Sequence, residues 1–256
     1  MYRLFGLVAN KEVDIEFSML KASYRFKNQS IKNPHGWGIG YYKGFKPIVE
    51  KYGENAFYSS KFDELVKNTK AKIFISHVRL ATTGSVNSNE NAHPFVYKNW
   101  IFAHNGTIDK ERIMSLLKSP FNQKFTSKQI DSEIYFRYLI QSIEKTSDII
   151  KGITLAVKNI IKEKCIAANF LLSDGKSLYA FKYHRDLNYL VRDPKSFNFF
   201  SKETDARIRS KMLIDKKAIL VSTEKLTENR KWIEIKGNTL LIIDVSLNLK
   251  KIRITV

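Results

Sequence analysis

The 256-residue sequence predicts an α+β protein built on antiparallel sheets. Short segments rich in Ile, Val, Phe and Tyr, many bounded by turn residues, recur along the chain as strands. A smaller set of segments carries apolar residues at helical spacing. Strands follow strands and helices follow helices, which argues for α+β and against a doubly wound parallel sheet. The strands are numerous enough for two sheets stacked face to face.

In chain order, the strand segments are Tyr2–Ala9, Trp37–Tyr42, Lys72–Val78, Trp100–Ala103, Asn169–Ser173, Ser177–Tyr183, Ala218–Ser222, Trp232–Ile235, Thr239–Val245 and Lys251–Val256. Asp174-Gly175 sits between two of them and is a strong hairpin signal. Asn238 after Gly237 marks a second tight turn. Helices are expected over Phe17–Tyr24, Lys61–Asn68, Lys110–Leu117, Asp131–Glu144 and Asp148–Glu163. The fourth brings Ile134, Tyr138 and Leu139 near one face, and the fifth does the same with Ile149, Ile153, Val157 and Ile160. No repeat, low-complexity tract or Pro/Gly/Ser linker divides the chain, so residues 1–256 read as one domain.

Composition removes several classes. Hydrophobic residues make up 43% and charged residues 27%, a globular balance that excludes disorder and collagen-like structure. No charge-free run approaches the roughly 18–20 residues of a membrane helix, and Met1-Tyr2-Arg3-Leu4-Phe5-Gly6 has no apolar signal core. The expectation is a cytoplasmic protein without a membrane partner. The lone cysteine, Cys165, excludes a disulfide framework and reads as a buried structural thiol. The net charge of +19 is spread along the chain, with a mild rise toward the end. Nucleic-acid binders more often gather their basic residues on one face or tail, so a lysine-rich solubilising surface is the better reading.

Unusual chemistry gathers in residues 1–131. Arg79 closes a strand and opens a loop of small polar residues. Its guanidinium fork suits a carboxylate, and a structural ion pair is the plainer alternative. Asn105-Gly106 follows an apolar strand. A simple turn is the plainer reading; an oxyanion hole formed by the Asn amide and the Gly N–H is the functional one. Asp131 opens a helix, either as an ordinary cap or first-turn acid or as the partner of an ammonium group. His77, His93 and His104 share no metal-ligand spacing with a carboxylate, so neither a metal nor a cofactor is expected.

In combination these residues resemble the class II glutamine amidotransferases, whose glutaminase domains are N-terminal-nucleophile (Ntn) hydrolases. The stand-alone members, such as the yeast glutathione-degrading amidotransferase subunit, are the most similar. Arg3-Leu4-Phe5-Gly6 resembles the family's start, and Gly36-Trp37-Gly38-Ile39-Gly40 its second strand. His93-Pro94-Phe95 is a further match, and Ser222-Thr223-Glu224-Lys225-Leu226-Thr227 with Trp232 resembles the closing hairpin region. The resemblance implies a four-layer αββα sandwich and removal of ammonia from the γ-amide of glutamine, or cleavage of another γ-glutamyl amide. It places Arg79 on the substrate α-carboxylate and Asp131 on its α-ammonium. Thr82 and the backbone around Leu80 line the same pocket, and Asn105 and Gly106 form the oxyanion hole. Any ammonia acceptor would be a separate chain.

One position departs from the pattern. The family nucleophile is a cysteine directly after the initiator methionine; here that residue is Tyr2. A phenol has a pKa of about 10 against about 8.5 for a thiol. Its oxygen also lies at the far end of a rigid ring. Three readings follow: a non-catalytic relative that binds a glutamyl compound or a partner, a substitution at an enzyme's nucleophile, or residual hydrolysis by a bound water. The rival from another class is a binding module that turns its basic surface to an acidic partner or nucleic acid.

Overall fold

A computed structural model of the protein describes residues 3–82, 84–123, 129–162, 165–193, 216–228 and 231–255, and 199–201 and 206–208 by their backbone. The strands are β1 (Arg3–Val13), β2 (Trp37–Lys43), β3 (Lys46–Tyr52), β4 (Ala71–Val78), β5 (Phe95–Tyr97), β6 (Trp100–Thr107), β7 (Ala167–Ser173), β8 (Ser177–Lys182), β9 (Asn188–Arg192), β10 (Phe199–Ser201), β11 (Ala206–Ile208), β12 (Ala218–Ser222), β13 (Ile233–Glu234), β14 (Thr239–Asp244) and β15 (Leu249–Arg253). The α-helices are α1 (Ser60–Asn68), α2 (Lys110–Ser115), α3 (Asp131–Thr146) and α4 (Ile149–Lys162).

Two large sheets form. The first runs β13-β9-β12-β1-β4-β2-β3 and the second β15-β14-β8-β7-β6-β5. Neighbouring strands in both are antiparallel. The period-2 alternation of each strand sorts its side chains between two cores. On β1, Phe5, Leu7 and Ala9 pack outward with Phe26, Phe62 and Val66 of the covering helical segments. Leu4 and Val8 point the other way, into the layer between the sheets, with Ile75, Ala103, Leu171 and Val221. The far face of the second sheet packs Phe102, Phe170 and Phe181 against Ile134, Leu139, Ile153 and Val157 of α3 and α4. The layers are therefore helix, sheet, sheet, helix: the expected αββα sandwich.

Tyr42 ties the two sheets together. Its hydroxyl lies 2.8 Å from the Ser173 carbonyl and 3.0 Å from that of Asn99. The Asp174-Gly175 turn joins β7 to β8 as expected. Asp174 Oδ1 accepts from the N–H groups of Lys176 and Ser177, and Gly175 takes φ +86°. Asn238 adopts φ +57° in the second turn.

Several elements differ from expectation. The segment Phe17–Tyr24 forms only a π-helical turn over Phe17–Lys21, followed by a 3₁₀ helix over Phe26–Ile31. Strands β3, β5 and β9 carry no strong local signal, because their pairing partners, not their propensity, hold them extended. The segment Trp232–Ile235 shrinks to the two residues of β13. The strand expected over Trp100–Ala103 continues to Thr107 and so absorbs His104-Asn105-Gly106. Cys165 is half-buried rather than buried, and desolvation raises its thiol pKa to about 11.

Candidate functional site

The site lies where β1 begins and β4 ends. Arg3 pairs with Val78 across this end of the ladder, so Arg79 is the first residue past it. The Arg79 backbone is clamped to the chain before β2. Its N–H donates to the Gly36 carbonyl at 2.8 Å, and its own carbonyl accepts from His35 N–H at 2.9 Å. The side chain of Arg79 is buried to 1% exposure, with Nη1 donating to the Ser85 carbonyl at 2.9 Å. The loop after it is held in turn, Ala81 N–H donating to His35 Nδ1 at 2.9 Å. Leu80 is half-buried and Thr82 exposed in this loop.

Asn105 and Gly106 belong to the second sheet. They are not a turn: they lie within β6, opposite Asn169 and Ala168 of β7. The ladder overrides the local Asn-Gly preference because both neighbouring strands are in place to pair. Ile101, Ala103 and Asn105 alternate toward the inter-sheet layer, and Asn105 is 2% exposed. Its Oδ1 is buried without a hydrogen-bond partner. A β-carbon on Gly106 would stand 1.9 Å from the Ala167 carbonyl oxygen. Only glycine fits there.

Asp131 enters from the helical layer. It is the first residue of α3, not its cap; Ile130 occupies the cap position. Asp131 Oδ2 accepts from Ile108 N–H at 3.1 Å and Oδ1 from Ser132 N–H at 2.9 Å. These donors orient the carboxylate and join the end of β6 to the start of α3. Neighbouring Ser132 Oγ lies 2.9 Å from His104 Nδ1.

Three buried histidines lie close to these groups: His77 and His93 near Arg79, and His104 near Asp131. His77 and His93 stack with ring centroids 4.2 Å apart. Desolvation keeps all three neutral by lowering their pKa values. For His77, helped by the charge of Arg79, the value falls to about 3. The useful signal in the sequence is positional: His77 continues the buried face of β4 after Ile73 and Ile75. Lys51 is a further residue without a motif. Its Nζ donates to the Glu90 and Ala92 carbonyls at 2.8 and 2.9 Å, pinning the loop beyond Arg79. Burial lowers its pKa to about 8. Tyr2 lies outside the described residues.

Arg79 thus follows β4, Asn105 and the obligate Gly106 lie near the end of β6, and Asp131 opens α3 of an αββα sandwich. Solved structures share this fold. A glutamine aminotransferase class-II domain protein from Silicibacter pomeroyi superposes with a TM-score of 0.65 at 16% identity, covering 99% of this chain and 100% of that one. The glutamine phosphoribosylpyrophosphate amidotransferase of B. subtilis gives 0.66 at 17% identity, covering 99% of this chain and 49% of that one. The family model of class II glutamine amidotransferases matches residues 1–249, and the chain belongs to that family. An uncharacterized protein of Methanocaldococcus jannaschii is 30% identical over 94% of this chain and 69% of its own length. The probable glutamine amidotransferase DUG3 of Saccharomyces cerevisiae is 24% identical over 94% of this chain and 78% of its own length. Among the described residues, no helix is long and apolar enough to cross a membrane.

Proposed function

We propose that this site binds the glutamyl end of glutamine or of another γ-glutamyl amide. Arg79 holds the α-carboxylate through its planar fork, and Asp131 holds the α-ammonium. Leu80 and Thr82 line the same pocket. The Asn105 amide and the Gly106 N–H supply two donors to the oxygen of the γ-carbonyl as charge develops on it. The observation that carries this reading is the burial of one cation, Arg79, one anion, Asp131, and one amide, Asn105.

The chemistry then rests on the nucleophile position. Tyr2 stands where the family has cysteine. Its phenol is a weaker and longer nucleophile, and a misplacement of even 1 Å at a reacting centre can cost about 100-fold. The chain as written therefore retains recognition and hydrolyses slowly or not at all. Any ammonia released passes to water or to a separate acceptor protein.

Calorimetry with glutamine and glutamate tests the recognition, with Arg79→Ala as control. Binding in the millimolar range or tighter, abolished in the variant, is the expected outcome; no detectable binding to the wild type refutes the reading. Glutamate release by wild type and Tyr2→Cys, side by side, tests the nucleophile. Activity confined to Tyr2→Cys identifies a working site silenced at one residue. The second reading, a basic surface that binds nucleic acid, requires measurable affinity at low salt falling by roughly 10³–10⁵ between 50 and 200 mM for 6–10 phosphate contacts.

A further inference from the structure

Lys51 breaks the pattern of its strand. Val49 and Lys51 share a face of β3, and Val49 packs against the apolar layer between the sheets. An apolar residue is expected at position 51 as well. The neighbouring strand makes room for a lysine instead. Gly38 stands opposite Lys51 in the β2–β3 ladder. A β-carbon on Gly38 would lie 2.7 Å from Lys51 Cβ, and closer still to the His93 carbonyl oxygen. This glycine therefore admits both the lysine and the chain that crosses it.

The ammonium is a junction of several segments. Its bonds to the Glu90 and Ala92 carbonyls hold the loop that follows β4. It also lies over the Phe95 ring of β5, 4.5 Å from the centroid. Among the charges acting on it, Glu133 of α3 is the strongest attraction, and Glu133 is two residues past Asp131. Glu90 attracts it less, and Arg79 repels it. His93, also close, is kept neutral by burial. A second fastener holds the same loop to the end of β3, Gly53 N–H donating to Asn89 Oδ1 at 2.6 Å. The far end of this stretch is Ser85, whose carbonyl accepts from Arg79 Nη1 at 2.9 Å. The chain that Lys51 fixes is thus the chain that fixes the Arg79 guanidinium.

We propose that Lys51 is a positioning residue of the glutamyl site: its ammonium sets the spacing between the loop that orients Arg79 and the start of α3 that presents Asp131, and so governs affinity for the glutamyl end. The proposal rests on the glutamyl-site reading and extends it. Lys51 acts through the chain from Ser85 to Ala92 and through Glu133. Hydrogen bonds from a charged donor are roughly twice as strong as neutral ones. Loss of the proton therefore weakens the hold on the loop and removes the attraction to Glu133. With its pKa lowered by burial to about 8, Lys51 is charged at neutral pH and loses that charge in mild alkali. The glutamyl ligand should bind the protonated protein more tightly.

The test is calorimetric titration with glutamine of the full chain as wild type, Lys51→Met and Lys51→Arg, at pH 7 and at about pH 9.5, between the folded and unfolded range of the lysine and full loss of its charge. Ratios between proteins at one pH cancel the titration of the ligand's own ammonium. At pH 7 wild type should bind about tenfold more tightly than Lys51→Met, within the range for residues that act without touching the ligand. Lys51→Arg should restore most of that loss. In alkali the wild type should lose its advantage over Lys51→Met and fall below Lys51→Arg, whose guanidinium keeps its charge. The comparison with Lys51→Arg stands even if the methionine variant does not fold. Equal affinity of wild type and Lys51→Met at pH 7 overturns the positioning role and leaves the glutamyl reading standing. So do ratios that stay the same at both pH values, the result given by a lysine that only packs the loop. Absence of glutamine binding by the wild type at pH 7 overturns both.

Discussion

The rings of His77 and His93 stack 4.2 Å apart, tilted by 40°, in a fully buried position beside Arg79. Two imidazoles packed this way next to a guanidinium are compatible only with neutral rings. Their folded-state pKa values lie below the usual 6.5, so below that pH the unfolded chain binds more protons than the folded one. Stability is fully present above about pH 6.5–7 and declines as pH falls toward the folded value of His77, about 3. By linkage, each such histidine removes about 1.4 kcal/mol between pH 8 and pH 5.5. Denaturant unfolding at the two pH values measures the sum, and His77→Gln should reduce the pH dependence by about one histidine's worth. An unchanged dependence in that variant would show that His77 titrates normally.

Tyr42 is the polar link between the sheets, its hydroxyl shared between the Ser173 and Asn99 carbonyls. Tyr42→Phe removes one donor, leaves a buried carbonyl short of a partner, and should cost about 1–2 kcal/mol. The ring stays in place, so the loss should appear in the midpoint of unfolding with the denaturant slope unchanged.

Gly106→Ala places a methyl 1.9 Å from the Ala167 carbonyl oxygen. Backbone, not a flexible side chain, blocks it, so β6 and β7 must separate locally. The expected loss is about 3 kcal/mol or more, at the high end for a single substitution. Gly237→Ala is the contrast: nothing lies within 4 Å of its added carbon, and the change should stay within about 0.5 kcal/mol.

Lys51 fastens the loop beyond Arg79 through two backbone carbonyls. Its pKa of about 8, lowered by burial, makes it a lysine that titrates near neutral pH. Carbon-13 dimethyl-lysine spectra should show one resonance with a midpoint near 8 that disappears in Lys51→Met. As the folded pKa is below the unfolded one, the cost of burying the charge is present below pH 8 and relieved between 8 and 10.5.

Much of the architecture is local in origin and was legible in the residues. Alternation on β1, β4 and β6, the helical spacing of α3 and α4, and the Asp174-Gly175 hairpin are decided within a few residues of each position. Arg79, Asn105-Gly106 and Asp131 stood out because fork, amide, glycine and acid are rare at the ends of apolar segments, and their order along the chain matches the family. What the chain alone did not determine is everything that depends on distant partners. Asn105-Gly106 favours a turn locally, yet β7 holds it in a strand. Strands β3, β5 and β9 are extended because a neighbour pairs with them. The convergence of His77, His93 and Lys51 beside Arg79 exists only in the packed structure, because burial and cross-strand register are properties of it and not of any segment.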